Sequence, residues 1–226
     1  MTPTAIVTGA GSGLGLALTL ALASRGGRVV ACARDGDRLT AALAGRPGVV
    51  RHPGDVTDPG LGPELLDVVG DRLDLLVHNA GELGPSPLPR LAAYPAAALR
   101  GVLETTVVGP LQLTQALLPA LRRAGGTVVS LSSDAAVEAY EGWGGYGLAK
   151  AAADHAAAVL AVEEPELRVY AFDPGDMRTA MHQRAFPGED ISDRPEPETV
   201  VPAFLRLVDQ RPPSGRYRAA ALVVPA

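Results

Sequence analysis

The sequence predicts an α/β fold, a doubly wound parallel sheet in one domain spanning residues 1–226. Three observations carry that expectation. The chain opens on a short apolar strand that runs into a glycine-rich turn and then a helix. Strand-like and helix-like segments alternate from there onward, which is the pattern of a parallel sheet with right-handed crossovers. Several strands are continuous apolar runs, as expected where helices cover both sheet faces. A length of 226 residues and an apolar content of 47% suit a single core of useful size.

The elements follow in order. Apolar Ala5–Thr8 is the first strand, and Leu16, Ala17, Leu20, Ala21 and Ala23 give the next segment, Gly13–Arg25, a helical pattern. Strands are then read at Arg28–Ala33, Val49–Arg51, Leu73–Asn79, Thr127–Leu131 and Arg168–Phe172, with a thin last one near Ala219–Val224. Between them lie helices at Gly36–Ala44, Pro63–Gly70, Tyr94–Arg123, Gly145–Val162 and Glu198–Gln210. The Pro- and charge-rich stretch Phe186–Pro197 reads as a mobile flap rather than a domain boundary. Ligands of such sheets bind beyond the carboxyl ends of the strands, at the switch point. Gly9, Asn79, Ser133 and Pro174 all fall at strand ends and so converge on one rim.

The first turn reads Thr8-Gly9-Ala10-Gly11-Ser12-Gly13-Leu14-Gly15. Glycines there permit positive φ and let a phosphate approach the backbone. The helix that starts at this turn offers unpaired N–H groups and a positive dipole end to a pyrophosphate. Tyr146 and Lys150 stand four residues apart in a helical segment, with Ser133 thirteen residues before Tyr146 at the end of a strand. Residues at that spacing share a helix face. A neighbouring ammonium is expected to lower the tyrosine pKa and fit it for proton transfer near neutral pH. Taken alone, this pair also fits an ordinary helix surface; the glycine turn decides against that.

With these residues assembled, the chain resembles the short-chain dehydrogenase/reductase family over nearly its whole length. Thr8-Gly9, Gly13 and Gly15 match its cofactor turn, with Ser12 and Leu14 inside it. Asp55-Val56 matches the acid–valine pair at the adenine, and Asn79-Ala80-Gly81 the motif after the fourth strand. Ser133, Tyr146 and Lys150 match the catalytic set, and Pro174-Gly175 with Thr179 the segment at the nicotinamide end. The resemblance implies a Rossmann-like fold and hydride exchange between a nicotinamide dinucleotide and a carbonyl or alcohol. Tyr146 would then pass the proton, Lys150 would contact the nicotinamide ribose, and Ser133 would orient the carbonyl. One departure is Thr106, which takes the place of the family's asparagine in Glu104-Thr105-Thr106-Val107-Val108-Gly109. A threonine still offers a hydroxyl to a relay water, with one polar group fewer.

The end of the second strand reads Ala31-Cys32-Ala33-Arg34. An acid there would bind ribose hydroxyls, whereas an arginine favours a 2′-phosphate. Arg34 therefore points to NADP(H), with NAD(H) as the alternative. Its other reading is the start of a surface helix, and Asp35 and Asp37 soften the local field. Locally, Gly142-Trp143-Gly144-Gly145-Tyr146 and Leu160–Pro165 resemble sepiapterin and benzil reductases, which act on vicinal dicarbonyls. Trp143 either walls the pocket or packs against a neighbouring helix or subunit.

Composition excludes other classes. A net charge of −5 without a long basic run argues against nucleic acid. The single cysteine, Cys32, lies in an apolar strand, so no internal disulfide forms and no metal-ligand spacing exists. His155 and His182 have no partner pattern, and His52 and His78, in or beside strands, read as core or strand-end residues. No apolar run is long enough to span a membrane, and the chain opens directly on a strand, so cytoplasm is the expected compartment. Two other function classes stay in view. A cofactor-sensing, non-catalytic dinucleotide-binding protein needs the glycine turn but not the Ser–Tyr–Lys set. A nucleotide-sugar epimerase or dehydratase usually needs a longer region after Gly175. Alanine and leucine on several faces of Tyr94–Arg123 and Gly145–Val162 predict a homodimer or homotetramer, and the resembling family uses these two helices as its interface.

Overall fold

The computed structural model describes residues 2–222. Its elements run β1 (Thr4–Thr8), α1 (Gly13–Ser24), β2 (Arg28–Ala33), α2 (Gly36–Ala42), β3 (Val49–Pro53), α3 (Leu61–Val69) and β4 (Leu75–His78). The second half continues with α4 (Ala96–Leu103), α5 (Gly109–Ala124), β5 (Thr127–Leu131), α6 (Gly144–Glu163), β6 (Arg168–Asp173), α7 (Ala180–Ala185), α8 (Val201–Gln210), β7 (Gly215–Arg218) and α9 (Ala219–Leu222). All seven strands pair in parallel in the order β3-β2-β1-β4-β5-β6-β7. The chain winds outward from β1 in one direction and from β4 in the other, so the switch point lies between these two.

Alternate residues of each strand feed opposite cores, because side chains alternate across a sheet. Val7, Val29, Ala31 and Val77 pack with Leu14 and Leu18 of α1 and Phe204 and Leu207 of α8 on one face. Ile6, Val30, Leu76 and Val128 pack with Leu65 of α3 and Leu113 and Leu117 of α5 on the other. Burial on both faces explains why these strands read as unbroken apolar runs. Cys32 is buried in the second core, and its thiol pKa is pushed up to about 12, chiefly by burial. His78 is buried too; its Nε2 lies 2.8 Å from Thr114 Oγ1, and burial lowers its pKa to about 4.

Two expectations need correction. The helix expected over Tyr94–Arg123 is interrupted: α4 passes through a π-helical turn, Glu104–Val108, before α5 begins. Gly109 comes so close to the Val56 carbonyl that a Cβ there would collide with it, and the π turn sets that approach. The last strand is the polar Gly215–Arg218, while Ala219–Leu222 is helical; residues 223–224 of the expected strand lie outside the described residues. β7 pairs only with β6 at the sheet edge, where an apolar run is not required, and alanines favour helix. The stretch 186–197 is irregular and tied to its surroundings: Gln183 Nε2 donates to the Phe186 and Glu189 carbonyls, Arg178 N to Pro195 O, and Ile191 is buried. The short helix α7, capped by Thr179 Oγ1 accepting from His182 N at 3.1 Å, was not foreseen.

Candidate active site

The end of β1 is laced to the end of β4 by one hydroxyl and one amide. Thr8 Oγ1 accepts from the Asn79 and Ala80 N–H groups, both at 3.0 Å, and donates to Val77 O at 3.2 Å. Asn79 Nδ2 donates to Thr8 O at 2.9 Å and Gly9 O at 3.3 Å. Gly9 has φ +66°, and a Cβ on it would lie 2.7 Å from Asn79 Nδ2. On Gly15 a Cβ would run into both Asn79 and the Gly9 carbonyl. At Gly9 and Gly15 the turn is therefore a cradle with no room for a side chain. Ser12 precedes α1 without a side-chain cap, which leaves first-turn N–H groups for a ligand.

This cradle opens into a cleft of about 570 Å³ that is also lined by Gly13, Leu14, Arg34, Val56, Ala80 and Gly81. Arg34 is exposed on its rim, its Nη2 3.9 Å from Glu82 Oε2. Asp35 is occupied as the cap of α2, accepting from Arg38 N at 2.9 Å. Asp55 does not line the cleft; its Oδ1 accepts from Thr57 N and Oγ1, both at 2.9 Å, and so shapes the loop that presents Val56.

A second cleft, of about 390 Å³, adjoins the first, and Tyr146, Ser132, Pro174 and Thr179 line both. Gly175, at φ +74°, lines the second. Ser133 follows the end of β5 by two residues; its Oγ donates to Asp134 Oδ1 at 2.9 Å and accepts from Ala135 N at 3.2 Å, and it lines the second cleft together with Tyr146. Lys150 is 5% exposed, donates to Leu131 O, and holds Nζ 5.5 Å from the centre of the Tyr146 ring. Ser133 and Tyr146 thus line one cleft, and Lys150 stands beside the Tyr146 ring.

Their electrostatics differ from the expectation. The Tyr146 pKa is raised, chiefly by burial, with the nearby Ser133 hydroxyl pulling it down and Asp134, Asp173 and Asp176 adding to the rise. Lys150 is itself buried and directed to a carbonyl, and its pKa falls to about 8, burial outweighing the opposing pull of Asp154 and Asp173. The phenol is accordingly a protonated donor at neutral pH.

Trp143 packs edge-on against Tyr146 with centroids 5.6 Å apart, and Phe186 stands 6.0 Å beyond it. Both line the second cleft, so the pocket-wall reading of Trp143 holds within the chain. His182 lies 4.9 Å from Phe186 and lines that cleft too. Asp134, Asp173 and Asp176 contribute to the lining, and no lysine or arginine does. Phe186 and Asp134 escaped the sequence reading. So did a countable signal: Lys150 is the only lysine in the chain. Thr106 is buried in the π turn, and its Oγ1 has no hydrogen-bond partner among the described residues. Among those residues no cluster of three or more His, Cys, Asp or Glu could hold a metal, and no helix is long and apolar enough to cross a membrane.

Comparison with known proteins agrees with this fold. Residues 3–190 match the family described as short chain dehydrogenase. The oxidoreductase YciK of Escherichia coli K12, itself uncharacterized, is 37% identical over 61% of this chain, a match that spans 54% of its own length. Sepiapterin reductase of Meriones unguiculatus is 36% identical over 73% of this chain and 69% of its own. A short chain dehydrogenase of Escherichia coli CFT073, solved with NADPH, superposes with a TM-score of 0.88 at 30% identity, covering 96% of each chain.

Proposed function

The chain belongs to the short-chain dehydrogenase family, and from that premise we propose that it is an NADP(H)-dependent reductase of a ketone or vicinal dicarbonyl. The observation that carries this reading is the meeting of Ser133, Tyr146 and Lys150 where the two clefts join. The residues present fit a dinucleotide. Gly9, Gly13 and Gly15 leave a Cβ-free cradle at an uncapped helix end, and Asn79 holds it in shape. Asn79, Ala80, Gly81, Pro174 and Thr179 continue the same cleft toward Tyr146 and Lys150.

A reduced nicotinamide bound there supplies hydride to a carbonyl carbon. The chain's residues do the rest. Ser133 Oγ holds the substrate oxygen and shares that task with the Tyr146 phenol, which gives the oxygen a proton. Lys150 keeps a positive charge beneath the phenol, so the phenolate left behind is stabilised. Trp143 and Phe186 present flat apolar walls suited to a ring or a planar dicarbonyl. The acidic lining, free of lysine and arginine, favours neutral substrates over carboxylates. Arg34 is the group placed to meet a 2′-phosphate, and the NADPH found with the relative from Escherichia coli CFT073 supports the same choice.

Exposed apolar side chains on α5 and α6 support a homodimer or homotetramer, and the first seat for the protein is cytoplasm. The test is oxidation of NADPH and of NADH followed against a panel of ketones, aldehydes and vicinal dicarbonyls. Turnover of a dicarbonyl with NADPH is the expected result. Tight cofactor binding with no turnover of any carbonyl would favour the cofactor-sensing alternative.

A further inference from the structure

Behind the Ser–Tyr–Lys set lies a charge cluster assembled from four elements. Asp154, one helical turn after Lys150 on α6, accepts from Ser132 Oγ at 2.6 Å and from Arg216 Nε at 3.1 Å. Arg216, on the edge strand β7, also donates through Nη2 to the Ser133 carbonyl and to Asp173 Oδ2, both at 2.8 Å. Asp173 ends β6; its Oδ1 accepts from Gly175 N at 3.0 Å and its Oδ2 from Arg218 Nε at 3.3 Å. A single guanidinium therefore ties together the strand end that carries Ser133, the helix that carries Tyr146 and Lys150, and the turn at Pro174-Gly175. Asp173 and Ser132 are each 3% exposed. Asp154 Oδ1 is buried without a hydrogen-bond partner among the described residues. Arg216 and Arg218 lie beyond the residues that match the family, 3–190.

We propose that Asp154 and Arg216 are positioning residues for the reduction: Arg216 clamps Ser133 and the two carboxylates from the sheet edge, and Asp154 holds the charge of Lys150. The inference rests on the reductase reading for its catalytic consequence, though not for its electrostatics. The groups around the ammonium are few. Tyr146 and Asp154 face it from α6 and Asp173 from β6, while Arg216 and Arg218 of β7 neutralise those carboxylates in part. Asp134 stands beyond Ser133, bonded to it and to Tyr140. The loop after β4 and the π turn bring uncharged Gly81 and Thr105.

An anion beside an ammonium favours its charged form, and a cation disfavours it. Removing the Asp154 charge lowers the Lys150 titration midpoint, and removing the Arg216 charge, which exposes two carboxylates, raises it.

The sole lysine makes the experiment direct. Protein labelled with [13C-ε]lysine gives one side-chain methylene signal, whose pH titration reads the Lys150 amine whether or not the protein turns over. The wild-type midpoint is expected near 8. Asp154→Asn should move it down, and Arg216→Met up, each by about half a unit or more. The alkaline limb of kcat/KM should move in the same two directions, and Asp154→Glu should restore the wild-type midpoint. Altered folding alone does not produce opposite shifts. Unmoved midpoints in both variants, or shifts of the same sign, would overturn the proposal. If Arg216→Met does not fold, Asp154→Asn decides alone, and a midpoint at or above wild type refutes the clamp. Opposite NMR shifts in a protein that reduces nothing would sustain the clamp and remove the reductase reading instead.

Discussion

Tyr146 keeps its proton because its surroundings resist a phenolate, and that proton is what a carbonyl needs as hydride arrives. Tyr146→Phe removes the donor and leaves the shape of the cleft intact. Reduction should fall by ~10²–10⁴, while NADPH binding, followed by nucleotide fluorescence, stays close to wild type. A variant that keeps more than about half the activity would be incompatible with the mechanism. Arg34 makes a separate claim. It is exposed and only loosely engaged by Glu82, so a phosphate can replace that carboxylate as its partner. Arg34→Ala should raise the NADPH Michaelis constant roughly tenfold or more, the worth of a charge-assisted contact, and leave that for NADH little changed. Equal wild-type affinity for both cofactors would rule out this role. The spacing of Ser133, Tyr146 and Lys150 is written locally and was legible in the sequence. The links from Arg216 to Asp154 and to the Ser133 carbonyl span 62 and 83 residues and become visible only when the sheet closes. The pKa of Tyr146 was misjudged for the same reason: spacing reveals a neighbour's charge but not the depth of burial.

Elements were legible wherever burial alone set their pattern. β1, β2, β5 and β6 are enclosed on both faces, and their apolar runs marked them to within a residue or so at each end. β7 was missed because an edge strand has no such requirement, and the π turn because it answers to the close approach of Gly109 to Val56 rather than to any periodicity. The glycine turn between β1 and α1 is the element on which the cofactor site stands. Gly15 has no room for a side chain, since the space a Cβ would fill is held by Asn79 Nδ2 and the Gly9 carbonyl. Gly15→Ala must push the two strand ends apart. We expect a loss of about 1–3 kcal/mol in stability and at least roughly tenfold weaker NADPH binding, because the N–H groups of the cradle lose their alignment. Thermal melting and a binding titration measure both. An alanine variant with wild-type melting and affinity would show that the cradle yields at no cost and that its tight fit is incidental.

Two helices, α5 and α6, bury one face and leave apolar side chains on the other. Their inner faces pack on the sheet with Leu113, Leu117, Ala157 and Leu160. Their outer faces leave Leu111 49%, Leu148 45%, Val159 41% and Val162 81% exposed. Leu148, Val159 and Val162 recur at spacings close to whole helical turns and so line one side of α6. Isolated exposed leucines are ordinary, but an aligned apolar strip on adjacent helices is a surface that gains by association. Small neighbours such as Ala152 allow close approach, and a two-fold axis would set the same strip against itself. Light scattering at micromolar concentration should therefore give a multiple of the 23.2 kDa chain mass, twofold or fourfold. Val159→Asp with Val162→Asp should return the protein to a single chain without lowering its helix content, since both side chains already face water in the isolated chain. A wild-type mass of one chain would leave the strip unpaired and remove the case for assembly.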